Sequence, residues 1–339
     1  MRGKTGCHYQ DTAAMPSHRS DHVTILLASY QGAAYLGQQL ISLARQTHTE
    51  WSLIVSDDGS TDGTREIVME FAAGQPEGRV RLIEGPRAGA TQNFLHLLDA
   101  APDGAMVGFC DQDDVWLSDK LARAVAFLRS HDGPAHYAAR TLICDDNLAL
   151  LTESRRFSRP LGFRNALVQA CMAGNSSVFN APAAALLKSA LPAARAVRIL
   201  SHDWWAYQVT AGAGGALFHD PHPVLHYRQH GRSEVGRNDT IRAMGSRLVQ
   251  LFTGDYGMWL AVNHTALQGA RPLLTAGNRE ILDRFGEALR EPGPIAARRL
   301  WELGLYRQTR PGTVAFYAAA ASGRLSKSPY GLDTGGATG

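Results

Sequence analysis

From Asp21 onward, short unbroken apolar runs alternate with stretches whose apolar residues recur every three or four positions. Val23-Thr24-Ile25-Leu26-Leu27-Ala28 is the first such run. Turn residues bound it, so it reads as a buried strand. Residues 33–46 place Leu36, Leu40, Ile41 and Leu43 at helical spacing. A second strand is predicted over 51–55, and a helix over 61–71 with Ile67, Val68 and Phe71 on one side. Ser60 or Thr61 can cap that helix. Strands at 80–83 and 106–110 and helices at 90–100 and 121–128 complete the rhythm. Continuous apolar strands between helices predict an α/β fold with a mostly parallel sheet covered on both faces. Crossovers in such a sheet are right-handed. Ligands bind beyond the carboxyl ends of its strands.

Beyond residue 136 the rhythm loosens. The pattern predicts a strand over 136–143, partial helix over 161–170 and a helix over 182–190. Short strands are expected at 177–179, 216–219 and 224–228. Pro182 suits the first turn of its helix, where a missing N–H costs nothing. After about residue 240, Ala, Leu and Arg dominate, and Gly254, Gly277, Pro292-Gly293-Pro294 and Pro311-Gly312 cut the stretch into helical pieces. The expected division is a disordered lead at 1–20, a catalytic α/β domain at 21–238, a helical region at 239–322 and a flexible tail at 323–339.

Composition narrows the class. The chain has 339 residues, 45% apolar and 19% charged, which suits a globular protein with a sizeable core. A formal charge of +3, without a basic run in the first 240 residues, argues against nucleic acid as a partner. Cys7, Cys110, Cys144 and Cys171 are far apart, so neither a zinc site nor a disulfide framework is expected. No stretch reaches the roughly 18 apolar residues of a spanning helix. A cytoplasmic protein is the default expectation.

The most telling residues follow the fourth strand. Cys110-Asp111-Gln112-Asp113-Asp114-Val115-Trp116 sets three carboxylates within four positions. Like charges so close repel unless a cation sits among them. Mg²⁺ or Mn²⁺ carrying a substrate diphosphate is the simplest resident. A solvated acidic turn is the plain alternative. Asp57 and Asp58 also follow a strand, as does Tyr30, so the acidic groups are expected to meet at one rim. No Gly-x-Gly-x-x-Gly follows the first strand, which argues against a dinucleotide fold.

Taken in order, Ala28-Ser29-Tyr30-Gln31-Gly32, Val55-Ser56-Asp57-Asp58-Gly59, the Cys110–Trp116 segment, His202-Asp203-Trp204-Trp205 and Tyr227-Arg228-Gln229-His230-Gly231 form a spaced set. The set resembles the inverting family 2 glycosyltransferases with a GT-A fold, strongly over 22–120 and more thinly to about 236. Its wording looks most like a rhamnosyltransferase-type branch. The resemblance implies transfer of a sugar, plausibly L-rhamnose from dTDP-rhamnose, from a nucleotide diphosphate donor to a saccharide acceptor in cell-surface polysaccharide or glycolipid synthesis. It implies Tyr30 stacked on the base, Asp58 accepting the base N–H, and Asp57 beside the nucleotide or holding its loop. Asp111 would sit near ribose or metal, with Asp113 and His230 on Mn²⁺ or Mg²⁺. Asp203 stands where the family carries its base. The plain alternative for Asp203 is a helix cap. Trp204 and Trp205 could dry the pocket or stack on a sugar. Arg228 could bind phosphate, and Gly174 would permit close backbone approach near the acceptor.

Basic and apolar side chains mix over 295–325, around Trp301 and Tyr306. That suits a helical cap over the catalytic domain, a homodimer face, or peripheral contact with the inner face of a membrane bearing a lipid-linked acceptor. Two other classes share these residues. A nucleotidyltransferase usually brings a Gly-rich basic loop after its first strand, and Ser29-Tyr30-Gln31-Gly32-Ala33 lacks one. A non-catalytic nucleotide-sugar or carbohydrate-binding protein would have little use for Asp58, Asp111, Asp113 and Asp203 together.

Overall fold

The computed structural model describes residues 21–229 and 255–325. The expected lead at 1–20, His230 and the tail from 326 onward lie outside the described residues. Strands β1 (Val23–Ser29), β2 (Trp51–Asp57), β3 (Val80–Glu84) and β4 (Met106–Asp111) run parallel in the order β3-β2-β1-β4. Helices α1 (Leu36–Ala44), α2 (Thr64–Ala73) and α3 (Ala90–Ala100) make the crossovers.

The unbroken apolar runs are explained by burial on both faces. Every residue of β1 is buried. Ile25 and Leu27 face one way, into a cluster with Leu36, Leu40, Val55 and Val68. Leu26 faces the other way, with Ile54, Phe94, Leu97 and Phe109.

Past β4 the sheet becomes mixed. Its remaining strands are β5 (Val115–Trp116), β6 (Ala135–Cys144), β7 (Leu150–Glu153), β8 (Val178–Phe179) and β9 (Ala216–Arg228). The order continues β8-β6-β9-β5, with β7 paired to β6. Strand β8 is antiparallel to β4 and β6, whereas β9 is parallel to β6. The two short strands expected at 216–219 and 224–228 are one strand, β9. Its register against β6 slips around Arg140, where Pro221 and Pro223 interrupt the ladder. Proline cannot donate to a ladder, so the sequence pattern breaks where the strand does not.

Helices α4 (Lys120–Leu128), α5 (Phe163–Ala166), α6 (Ala181–Ala196) and α7 (His202–Gly212) cover this half. Asn180 caps α6 by accepting the Ala183 N–H, with proline in the first turn as expected. The C-terminal region is helical: α8 (Asp255–Gly269), α9 (Ala276–Arg290), α10 (Gly293–Glu302) and α11 (Arg310–Ala321). Leu260, Leu282, Phe285, Leu300 and Phe316 from these helices join the cluster that holds Phe94, Trp204 and Trp205. The helical extension therefore packs on the sheet's own core.

Candidate active site

Strand register builds the site. Ser29 pairs with Asp57 on one side of β1, and Ala28 pairs with Asp111 on the other. Asp57 and Asp111 thus end neighbouring strands on either side of β1, about 10 Å apart at ordinary strand spacing. Tyr30 follows directly and is 56% exposed, an aromatic face open at that rim. Gln112 joins the two loops. Its Oε1 accepts the Tyr30 N–H at 2.9 Å and its Nε2 donates to the Tyr30 carbonyl at 2.9 Å. A Cβ at Gly32 would lie 2.1 Å from the Gln112 Oε1, so a larger residue there would displace this side chain. Sequence reasoning passed over Gln112 because nothing local marks its partner.

The Asp57-Asp58 pair organises loops. Asp57 is buried and accepts from Ser60 N at 3.0 Å and from the hydroxyls of Ser60 and Ser29 at 2.5 and 3.3 Å. Arg65 lies 3.4 Å from its Oδ2. Asp58 accepts the Arg87 N–H at 2.6 Å and the Gly89 N–H at 2.9 Å. Asp58 therefore secures the loop from β3 to α3, a task beyond the base contact expected for it. A cavity of about 320 Å³ opens beside the pair, lined by Asp57, Gly59, Ser60, Thr61, Arg65, Glu84 and Arg87.

In the acidic loop Asp111 and Asp113 are half-buried and Asp114 is fully buried. Burial, then Asp111, then Asp113 push the Asp114 carboxyl well above its ordinary range. Asn175 Nδ2 donates to Asp114 Oδ2 at 2.8 Å. Lys120, also fully buried, holds its ammonium 3.1 Å from the centre of the Trp116 ring. Burial brings its pKa down to about 7, against the opposing pull of Cys110, Asp114 and Asp111.

This crowding is what a divalent cation would relieve. Among the described residues, no three His, Cys, Asp or Glu side chains gather into a cage of their own. The donors suit a hard cation that takes two carboxylates and completes its shell with substrate phosphate and water. Asp111 and Asp113 fit that group.

Asp203 lies in the first turn of α7, behind the capping Ser201. Its Oδ1 accepts from Ser201 Oγ and, at 2.7 Å, from Trp204 N. Its Oδ2 accepts the Gly174 N–H at 3.1 Å. The helix-start role is present, and the turn bonded to Asp203 also reaches the acidic loop through Asn175. Gly174 makes its close approach to this pair: a Cβ would lie 2.7 Å from His202 Nε2 and 3.3 Å from Asp203 Cβ. His202 stacks on Phe94, with centroids 4.0 Å apart, and burial lowers its pKa to about 4.

Two expectations are corrected. Trp204 and Trp205 are 3% and 0% exposed, so neither offers a face to a sugar. They point into the helical core, where Trp204 Nε1 donates to the Ala166 carbonyl at 2.6 Å. Arg228 is 2% exposed and does not present its charge to a phosphate. Its Nε donates to the Asp113 carbonyl at 3.0 Å, and its other nitrogens donate to the Asp146 carbonyl and Gln38 Oε1. It braces the backbone of the acidic loop.

Residues 24–191 match the profile described as Glycosyl transferase family 2. A dTDP-rhamnosyl transferase, RfbG, of Shigella flexneri is 25% identical over 228 residues, 66% of this chain and 78% of that protein. A putative teichuronic acid biosynthesis glycosyltransferase, TuaG, of Bacillus subtilis is 30% identical over 128 residues, 38% of this chain but only 50% of its own length. Among solved structures, the mannosyltransferase PcManGT of Pyrobaculum calidifontis, in complex with GDP-Man and Mn²⁺, superposes with a TM-score of 0.47 at 19% identity, covering 90% of this chain and 87% of that one.

Proposed function

We propose that this chain, a glycosyltransferase whose residues 24–191 match the family 2 profile, transfers a sugar from a nucleotide diphosphate donor to a saccharide with inversion at the anomeric carbon. The observation that carries this reading is the shared edge. Asp57 and Asp111 end strands on either side of β1, and Asp203 is bonded to a turn that also contacts the acidic loop.

The nucleoside lies beside Tyr30, with the base over its exposed ring and Asp58 at the base N–H. Asp111 and Asp113 would hold Mn²⁺ or Mg²⁺. Bound there, the ion would supply positive charge to a diphosphate leaving group. Asp203 takes the proton from the acceptor hydroxyl. The new C–O bond forms on one face of the anomeric carbon as the bond to the diphosphate breaks on the other. The nucleoside diphosphate leaves with the bonding pair.

The donor we favour is dTDP-L-rhamnose, on the strength of the Shigella flexneri relative, a dTDP-rhamnosyl transferase. The acceptor is a saccharide, lipid-linked in our reading, at the cytoplasmic face of a membrane. No helix among the described residues is long and apolar enough to cross one. Peripheral contact through α10 and α11 is supported by exposed Ile295 at 47%, Trp301 at 68% and Val314 at 68%. A panel of dTDP-, UDP- and GDP-sugars in thermal shift with Mn²⁺ tests the donor, because a bound ligand raises stability by mass action. NMR of the product's anomeric proton tests inversion. A product with the donor's own anomeric configuration refutes single displacement.

A further inference from the structure

Asn175, Ser176 and Ser177 are three consecutive polar residues that are 6%, 0% and 0% exposed. Buried polar groups are costly unless bonded, so their partners show what the turn does. Ser176 Oγ accepts the Ala139 N–H at 3.2 Å and donates to the Ala173 carbonyl at 3.1 Å. Ser177 Oγ donates to the Ala173 carbonyl at 2.8 Å, and the Ser177 carbonyl accepts the Phe109 N–H at 3.1 Å. The two serines fasten the turn to β6 and β4.

Asn175 and Gly174 face the chemistry instead. Asn175 Nδ2 donates to Asp114 Oδ2 at 2.8 Å, one residue from Asp113. The Asn175 carbonyl accepts Lys120 Nζ at 2.5 Å. Gly174 N donates to Asp203 Oδ2 at 3.1 Å. One turn therefore grips the acidic loop with one residue and the carboxylate of Asp203 with the preceding one.

We infer that Asn175, backed by Lys120, is a positioning residue that fixes the separation between the donor-binding acidic loop and Asp203. The inference rests on the reading of Asp203 as the base. In-line displacement needs base and leaving group on opposite faces of one carbon. A misplacement of about 1 Å from a change away from the chemistry costs on the order of 10²-fold in rate. If Asn175 served the fold alone, removing it would lower stability without selectively slowing the chemical step. The geometry sets both its bonds on the acidic loop and its helix, not on the sheet ladder.

The test uses the full chain and two readouts. The first is Mn²⁺-dependent binding of dTDP and of UDP by titration calorimetry. The second is steady-state nucleoside diphosphate release from dTDP-rhamnose and UDP-sugars. Asn175→Ala is expected to keep nucleotide affinity within about threefold while kcat falls on the order of 10²-fold. The exchange Asp114→Asn with Asn175→Asp rebuilds the amide–carboxyl bond in reverse and is expected to recover about tenfold of that loss. Lys120→Met keeps the bulk and removes the bond to the Asn175 carbonyl; should Asn175→Ala fold poorly, it is expected to show the same split at about tenfold. Unchanged kcat, equal losses of kcat and affinity, or no recovery in the exchanged pair overturns the inference while leaving the proposed function standing. A wild type that neither binds nucleotide with Mn²⁺ nor turns over any donor overturns both.

Discussion

At the scale of single residues, Asp203 is the group proposed as the base. It accepts bonds from Ser201, Trp204 N and Gly174 N, and it stands at the start of α7, where the helix dipole favours negative charge. These contacts orient the carboxylate. Asp203→Asn keeps the size and removes the proton acceptor. Turnover in the donor assay is expected to fall by roughly 10²–10⁴-fold with little change in donor KM. Activity within a few fold of wild type would remove Asp203 from the mechanism. Asp203 was singled out in the sequence because His202-Asp203-Trp204-Trp205 is a recognisable phrase. The stacking of Trp204 and Trp205 on a sugar was misjudged for the same reason: a phrase gives residue types, not the direction each side chain takes from a helix. Gln112, Asn175 and Lys120 carried no local signal, since their partners lie 82, 61 and 55 positions away.

At the scale of elements, the loop from β3 to α3 is held by Asp58 on one side and by tight backbone packing on the other. A Cβ on Gly85 would lie 2.8 Å from the Asp57 carbonyl oxygen and 2.9 Å from the Asp58 Cα. Backbone cannot yield as a flexible side chain can. Gly85→Ala is expected to cost about 1–3 kcal/mol of stability in urea unfolding and to weaken nucleotide binding by shifting Asp58. Unchanged affinity would separate Asp58 from the nucleotide. Helices α10 and α11 carry the membrane reading. Trp301→Ala with Val314→Ser is expected to reduce recovery with anionic liposomes in flotation while leaving turnover of a soluble acceptor intact. Equal recovery would return this face to the role of a plain cap. The parallel half, β1 to β4, was legible because strands buried on both faces are written as unbroken apolar runs. A two-residue strand such as β5 is too short for any periodicity, and the slips around Arg140 hid the continuity of β9.

At the scale of the whole molecule, the fold buries histidines in its interior, and pH reads out that burial. His136 is fully buried against Ser177, and burial lowers its pKa from 6.5 to about 3. The unfolded chain binds this proton as pH falls below about 6.5 and the folded chain does not. The stability is complete above that value and is lost as pH falls toward 3. Between pH 7 and pH 5 His136 alone is expected to account for a loss of about 2 kcal/mol. Urea midpoints at the two pH values check this, and His136→Gln should remove that part of the dependence, leaving the parts due to His202 and His219, whose pKa burial also lowers to about 4. An equally steep loss in that variant would assign the effect elsewhere.

The central claim is that carboxylates from the ends of separate strands act as one site on a metal-bound nucleotide. Titration calorimetry of dTDP and UDP with and without Mn²⁺, on wild type and Asp113→Ala, addresses it most directly. The account predicts Mn²⁺-dependent binding in the wild type and a loss of at least about tenfold in affinity in the variant, with an unchanged melting temperature. Metal-dependent binding that survives Asp113→Ala undiminished would contradict it.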